Sequence, residues 1–167
     1  MLKKSILFLA VASSLILTSC GPSQDDAIKY NDQIVAIQKA LLPAQDAFIN
    51  QIDGHNKDSL KLTQAQFSEK SKTALDQCTK MPEFNGKHEY LDASIEYFKV
   101  TLSLADNEAK QIAAIMTKDS AQVTDKDVTD VTAFATKFDT EYAKILKKVQ
   151  EAQLDFSKEW KFDIKQE

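Results

Sequence analysis

Few side chains in this sequence can ligate a metal, attack a substrate or carry a proton near neutral pH. They are two histidines, His55 and His88, and two cysteines, Cys20 and Cys78. A di-iron helical bundle needs glutamate three residues before its histidines; those positions hold Ile52 and Asn85. Neither a Cys-x-x-Cys-His haem attachment nor a His-Glu-x-x-His zinc helix occurs. There is also no Gly-x-Ser-x-Gly elbow and no glycine-rich phosphate loop. His88-Glu89 reads as a surface pair at a loop edge. Asp125, Asp127 and Asp130 read as helix-start residues complementing the dipole. The expectation is a chain that is not an enzyme and carries no metal or other cofactor.

The one cysteine whose surroundings suggest chemistry is Cys20. Lys3 and Lys4 form a positive n-region, and Ile6 to Leu17 form an apolar stretch. That stretch is shorter than the roughly 20 residues of a membrane-spanning helix, and small residues follow it, as in a secretory signal. Leu17-Thr18-Ser19-Cys20 resembles the lipobox of bacterial lipoproteins. The resemblance implies that the Cys20 thiol takes a diacylglycerol group and that cleavage before it makes it the first residue. Two or three acyl chains then exceed the single-chain threshold for stable anchoring. Residues 1–19 are therefore expected to be a removed signal peptide and 20–27 a lipidated tether. With Cys20 acylated, Cys78 has no disulfide partner; its apolar neighbours make it a core thiol.

The 167 residues are 43% hydrophobic and 28% charged, in the range of an ordinary single domain. With 3 glycines and 3 prolines, the chain has too few turn residues for an all-β fold. Net charge is −4, and the basic residues are all lysine. Without arginine's bidentate fork, an acidic chain is a poor nucleic-acid binder, so no such partner is expected.

Three segments repeat apolar residues at alternating three- and four-residue steps. In the first, Ala27, Tyr30, Ile34, Ile37, Leu41, Ala44, Phe48 and Ile52 align, with Ile28, Val35, Leu42 and Ile49 beside them. Another runs Leu91, Ile95, Phe98, Leu102, Ala105, Ala109, Ile112 and Met116, widened by Tyr90, Tyr97 and Leu104. The last runs from Val128 through Val131, Ala135, Phe138, Tyr142, Ile145, Val149 and Ala152 to Phe156. None of these seams contains a charged residue. A shorter, more polar segment near residues 59–80 carries Leu60, Phe67, Ala74, Leu75 and Cys78. Such stripes are broad enough for a bundle. Asp53-Gly54-His55-Asn56, Met81 to Gly86 and Thr124 to Asp127 punctuate them, the last close to a capping box. The reading is all-α: an antiparallel up-down-up-down four-helix bundle over 28–160, its second helix shortest, its first kinked at Pro43, with a tail at 161–167.

Phe84, Trp160 and Phe162 fit no seam cleanly. They form either a hydrophobic plug at a bundle end or an interaction patch. Lys144, Lys147, Lys148, Lys158, Lys161 and Lys165 make the last helix comparatively basic, a solvated face. The lipobox, the Tyr30-Asn31 pair and the stretch Gln153 to Phe156 together resemble uncharacterised bacterial surface lipoproteins. The acidic pair Asp25-Asp26 resembles a surface-export signal, and Gly21 after the cysteine does not suggest inner-membrane retention. The expected protein is a non-enzymatic, lipid-anchored envelope or surface protein, outer-membrane by those rules, whose bundle binds an envelope or external protein or glycan. The alternative is a periplasmic ligand-binding or sensor module with a cleft between helices near Pro43.

Overall fold

The first helix starts where a side chain can satisfy its unpaired backbone donors. Ser23 Oγ accepts from the Asp26 amide at 3.2 Å, and an Asp26 carboxylate oxygen accepts from the Ser23 amide at 2.9 Å. This reciprocal box begins α1 (Gln24–Ile52) inside the stretch expected as tether. The computed structural model describes residues 21–52 and 56–164. Cys20, Gly54 and His55 lie outside them.

Asn56 caps α2 (Lys57–Cys78), its side chain accepting from the Ser59 amide at 3.0 Å. The chain then runs through α3 (Glu89–Leu104), a π-helical turn (Ala105–Ala109) and α4 (Lys110–Met116) as one continuous rod. A 3₁₀ turn (Ser120–Gln122) leads to α5 (Asp125–Trp160). Thr124 and Asp127 cap α5 with the reciprocal bonds their spacing suggested. The fold is an antiparallel four-helix bundle, and α2 is its shortest rod. Glu96 pairs with Lys148 and Glu108 with Lys137, so residue numbers rise along one rod as they fall along its neighbour. Among the described residues no helix is long and apolar enough to cross a membrane.

Apolar seams drive the packing, each large buried side chain contributing roughly 1.5–3 kcal/mol. Phe48 stacks on Phe67 at 6.1 Å, and Phe67 meets Phe138. Tyr97 and Tyr142 join hydroxyls at 3.0 Å. Three details depart from the seam reading. In the third rod Thr101 is core while Leu102 is only half-buried, and the π turn inserts one residue that shifts the register of the stripe after it. The interior is also not free of charge, because the same turn carries Glu108 inward, where Lys137 pairs with it. Asp127 and Ser157 are buried on α5, and further buried polar residues are Asn31, Gln45, Ser71, Ser94 and Thr101; the last three donate to carbonyls one turn back in their own helices. Finally, α1 touches α5 far less than it touches α2. Leu42 and Ile49 on α1 and Val128 on α5 consequently stay exposed.

Helix α1 is continuous through Pro43, whose ring is exposed. Its missing N–H thus lies on the solvent side of the helix.

Candidate functional site

One end of the bundle gathers the start of α1, the end of α2, the 79–88 loop, the start of α3 and the end of α5. We call it the proximal end. Its loop is shaped by Asn85-Gly86: both residues have positive φ, 56° and 73°, the type I′ geometry that asparagine and glycine tolerate best. The turn closes with two backbone bonds between Phe84 and Lys87, at 3.1 and 3.0 Å. It thereby sets Phe84 and Lys87 opposite each other on one rung of a tight hairpin.

Phe84 packs among rings from two helices, α1 and α5. Its centroid lies 5.0 Å from Tyr30, 5.5 Å from Phe156 and 5.0 Å from Trp160, the last two edge-on. Tyr90 lies 5.3 Å from Phe156. Phe162 reaches Phe156 at 6.0 Å, because α5 ends in a Schellman motif. In that motif the Phe162 amide donates to the Ser157 carbonyl, and Lys161 takes the left-handed conformation. Phe84, Trp160 and Phe162 are all half-buried. All three pack against the hydrophobic core at this end of the bundle.

Beside these rings opens a cleft of about 360 Å³ between the 84–91 segment and the last turns of α5. Tyr30, Phe84, Tyr90, Leu91, Ala152 and Phe156 supply its apolar wall. Lys87, Glu89, Asp155 and Glu159 supply its charged rim, and Lys87 is ion-paired with Glu159 across it. The phenols are anchored. Tyr30 Oη donates to the Pro82 carbonyl at 3.0 Å, and Tyr90 Oη donates to Asn31 Oδ1 at 3.3 Å. Gln153 Nε2 donates to the same asparagine oxygen at 2.8 Å. Burial pushes the Tyr30 hydroxyl up to about 12 and Tyr90 higher still, so both remain neutral donors. Tyr30, Asn31, Gln153 and Phe156, far apart in sequence, thus meet in one cluster.

The remaining sequence candidates lie elsewhere. The lipidation residue Cys20 falls outside the described residues, as does His55. Cys78 is fully buried, and desolvation pushes its thiol up to about 11, which leaves it a poor nucleophile. His88 is exposed, and its Nδ1 lies 2.7 Å from Asp92, whose hydrogen bond and charge raise the imidazole above its ordinary value. Among the described residues, no group of three or more histidine, cysteine, aspartate or glutamate side chains could hold a metal. Pro43 lines neither the proximal cleft nor the grooves along α1 and α5. The cleft itself was missed by the sequence reading, although Asn85-Gly86 was a readable signal for a tight turn beside Phe84.

Fold and cleft together define an all-α four-helix bundle with an aromatic cleft at one end. Compared with known proteins, the chain matches no family model, no curated protein and no solved structure at a significant level.

Proposed function

We propose that this is a non-enzymatic, lipid-anchored protein of the bacterial cell envelope, at the outer membrane, whose helical bundle is an interaction domain. The observation that carries this reading is the start of α1 at Gln24, four residues beyond Cys20 and its lipobox. At about 3.6 Å per residue, a lipid on Cys20 holds the proximal end within roughly 15 Å of the bilayer. The flank of α1 bearing Leu42 and Ile49 then projects away from the membrane, toward a protein or glycan partner. Asp26 has a structural task in the cap of α1, so an address role falls chiefly to Asp25. Among the described residues, the cysteine and the histidine are poorly suited to catalysis: Cys78 is an interior thiol, and His88 is tied to Asp92 on the surface.

Fractionation of cells expressing the full chain tests the anchor. Wild type is expected in the membrane pellet with incorporated fatty acid, and Cys20→Ala in the soluble envelope fraction without it. Acylated Cys20→Ala, or soluble wild type, overturns the reading.

A second reading, a ligand-binding module, is favoured by one observation: the aromatic-walled cleft of about 360 Å³, within the size range of small-molecule sites. It lies at the proximal end and not beside Pro43.

A further inference from the structure

The ligand-binding reading leaves open which chemistry the proximal cleft accepts, and its lining is selective. We propose that the cleft binds an organic ammonium: a cation carried on an apolar or aromatic body. This rests on the second reading above and is separable from it by experiment.

Three features of the cleft point the same way. Its wall offers four aromatic rings, from Tyr30, Phe84, Tyr90 and Phe156. Ring faces attract cations and repel anions, and the attraction strengthens where water is excluded. Its rim carries three carboxylates, Glu89, Asp155 and Glu159, of which Glu159 pairs with Lys87 and Asp155 pairs with Lys158, outside the cleft lining, at 3.4 Å. An anion entering there meets net repulsion, whereas an ammonium meets carboxylates and ring faces together. Most telling is Lys87 itself. The Asn85-Gly86 turn sets its backbone beside Phe84, and its ammonium pairs with Glu159 at the mouth. The chain's own cation on a methylene stem thus already occupies the carboxylate, as an internal stand-in for the ligand. Because Lys87 and Glu159 are each nearly half exposed, at 47% and 40%, a competing ammonium can displace the lysine at little cost.

Trp160 provides the readout. It is the single tryptophan of the chain and lies edge-on to Phe84 at 5.0 Å. Purified protein is titrated with three isosteric probes: 2-phenylethylammonium, neutral 2-phenylethanol and anionic phenylacetate. The ammonium is expected to change Trp160 emission saturably and to bind about tenfold more tightly than either comparator. Glu159→Gln combined with Asp155→Asn is expected to weaken the ammonium severalfold. Lys87→Met, which removes the internal competitor, is expected to tighten it. Equal binding of the alcohol and the ammonium overturns the ammonium assignment and leaves a ligand cleft. Binding of none of the three overturns the ligand-binding reading as well.

The same ammonium chemistry is available from a free amine or from a phospholipid headgroup near the anchor. Pelleting of Cys20→Ala with phosphatidylcholine vesicles but not with phosphatidylglycerol vesicles assigns the headgroup. Amine binding without pelleting assigns the free amine.

Discussion

Lys161 holds the left-handed conformation, with φ of 57°, that lets α5 stop and turn Phe162 back onto Phe156. Both Schellman bonds are present: the Lys161 amide donates to the Lys158 carbonyl and the Phe162 amide to that of Ser157. A lysine Cβ is strained there, whereas glycine is not, so the position carries a local cost. Lys161→Gly is expected to stabilise the protein by about 1 kcal/mol, raising the melting temperature by roughly 2–4 °C. A thermal melt checks this, and an unchanged or lower midpoint contradicts it. The left-handed stop itself was not legible in the sequence, because its usual marker, glycine, is absent. Cys78 shows the opposite case. Its apolar spacing was enough to place it in the core, and its burial follows from that alone.

At the scale of elements, the start of α5 concentrates charge. Asp127 accepts from the Thr124 amide at 2.9 Å and the Thr124 hydroxyl at 2.8 Å, while Lys118 reaches it from the end of the preceding rod at 2.5 Å. The Lys118 hydrogen bond, reinforced by those from Thr124, holds the carboxyl down to about 2. An aspartate in the unfolded chain titrates near 3.9. The folded value is the lower one, so the stabilisation is complete above about pH 4 and is lost as pH falls through about 2. Melting curves should show it: Asp127→Asn lowers the midpoint at pH 7 and flattens its fall between pH 4 and 2. Parallel curves for variant and wild type would rule this out. The capping spacing Thr124-x-x-Asp127 was readable in advance, since it depends on four consecutive residues. The π turn at Ala105–Ala109 was not, because it answers to partners on other helices. Gln64 donates to the Ala105 carbonyl at 2.9 Å, Ser68 binds Asp106, and Lys137 draws in Glu108.

For the whole molecule, the uneven packing of α1 separates two apolar stripes that look alike in sequence. Phe48 is 1% exposed, while Ile49, its neighbour in the chain, is 42% exposed. Phe48→Ala is expected to cost about 3–5 kcal/mol. Leu42→Glu with Ile49→Glu should change stability by only about 0.5 kcal/mol each, since neither leaves a core. Denaturant unfolding compares the two. A large loss in the double variant would mean that this flank is core after all, and would remove it as a partner surface.

By itself the sequence determined the class of fold, the number and order of the rods and their antiparallel course. Apolar periodicity within a helix, and short connections between helices, are local properties that any solution must satisfy. The tertiary structure alone decided which stripe of α1 is covered, where the third rod changes pitch, and that Tyr30, Phe84, Tyr90 and Phe156 enclose a cleft rimmed by Lys87 and Glu159. Those features join residues up to 129 positions apart, from Tyr30 to Glu159. Only packing, which balances burial against strain over all rods at once, brings such residues together.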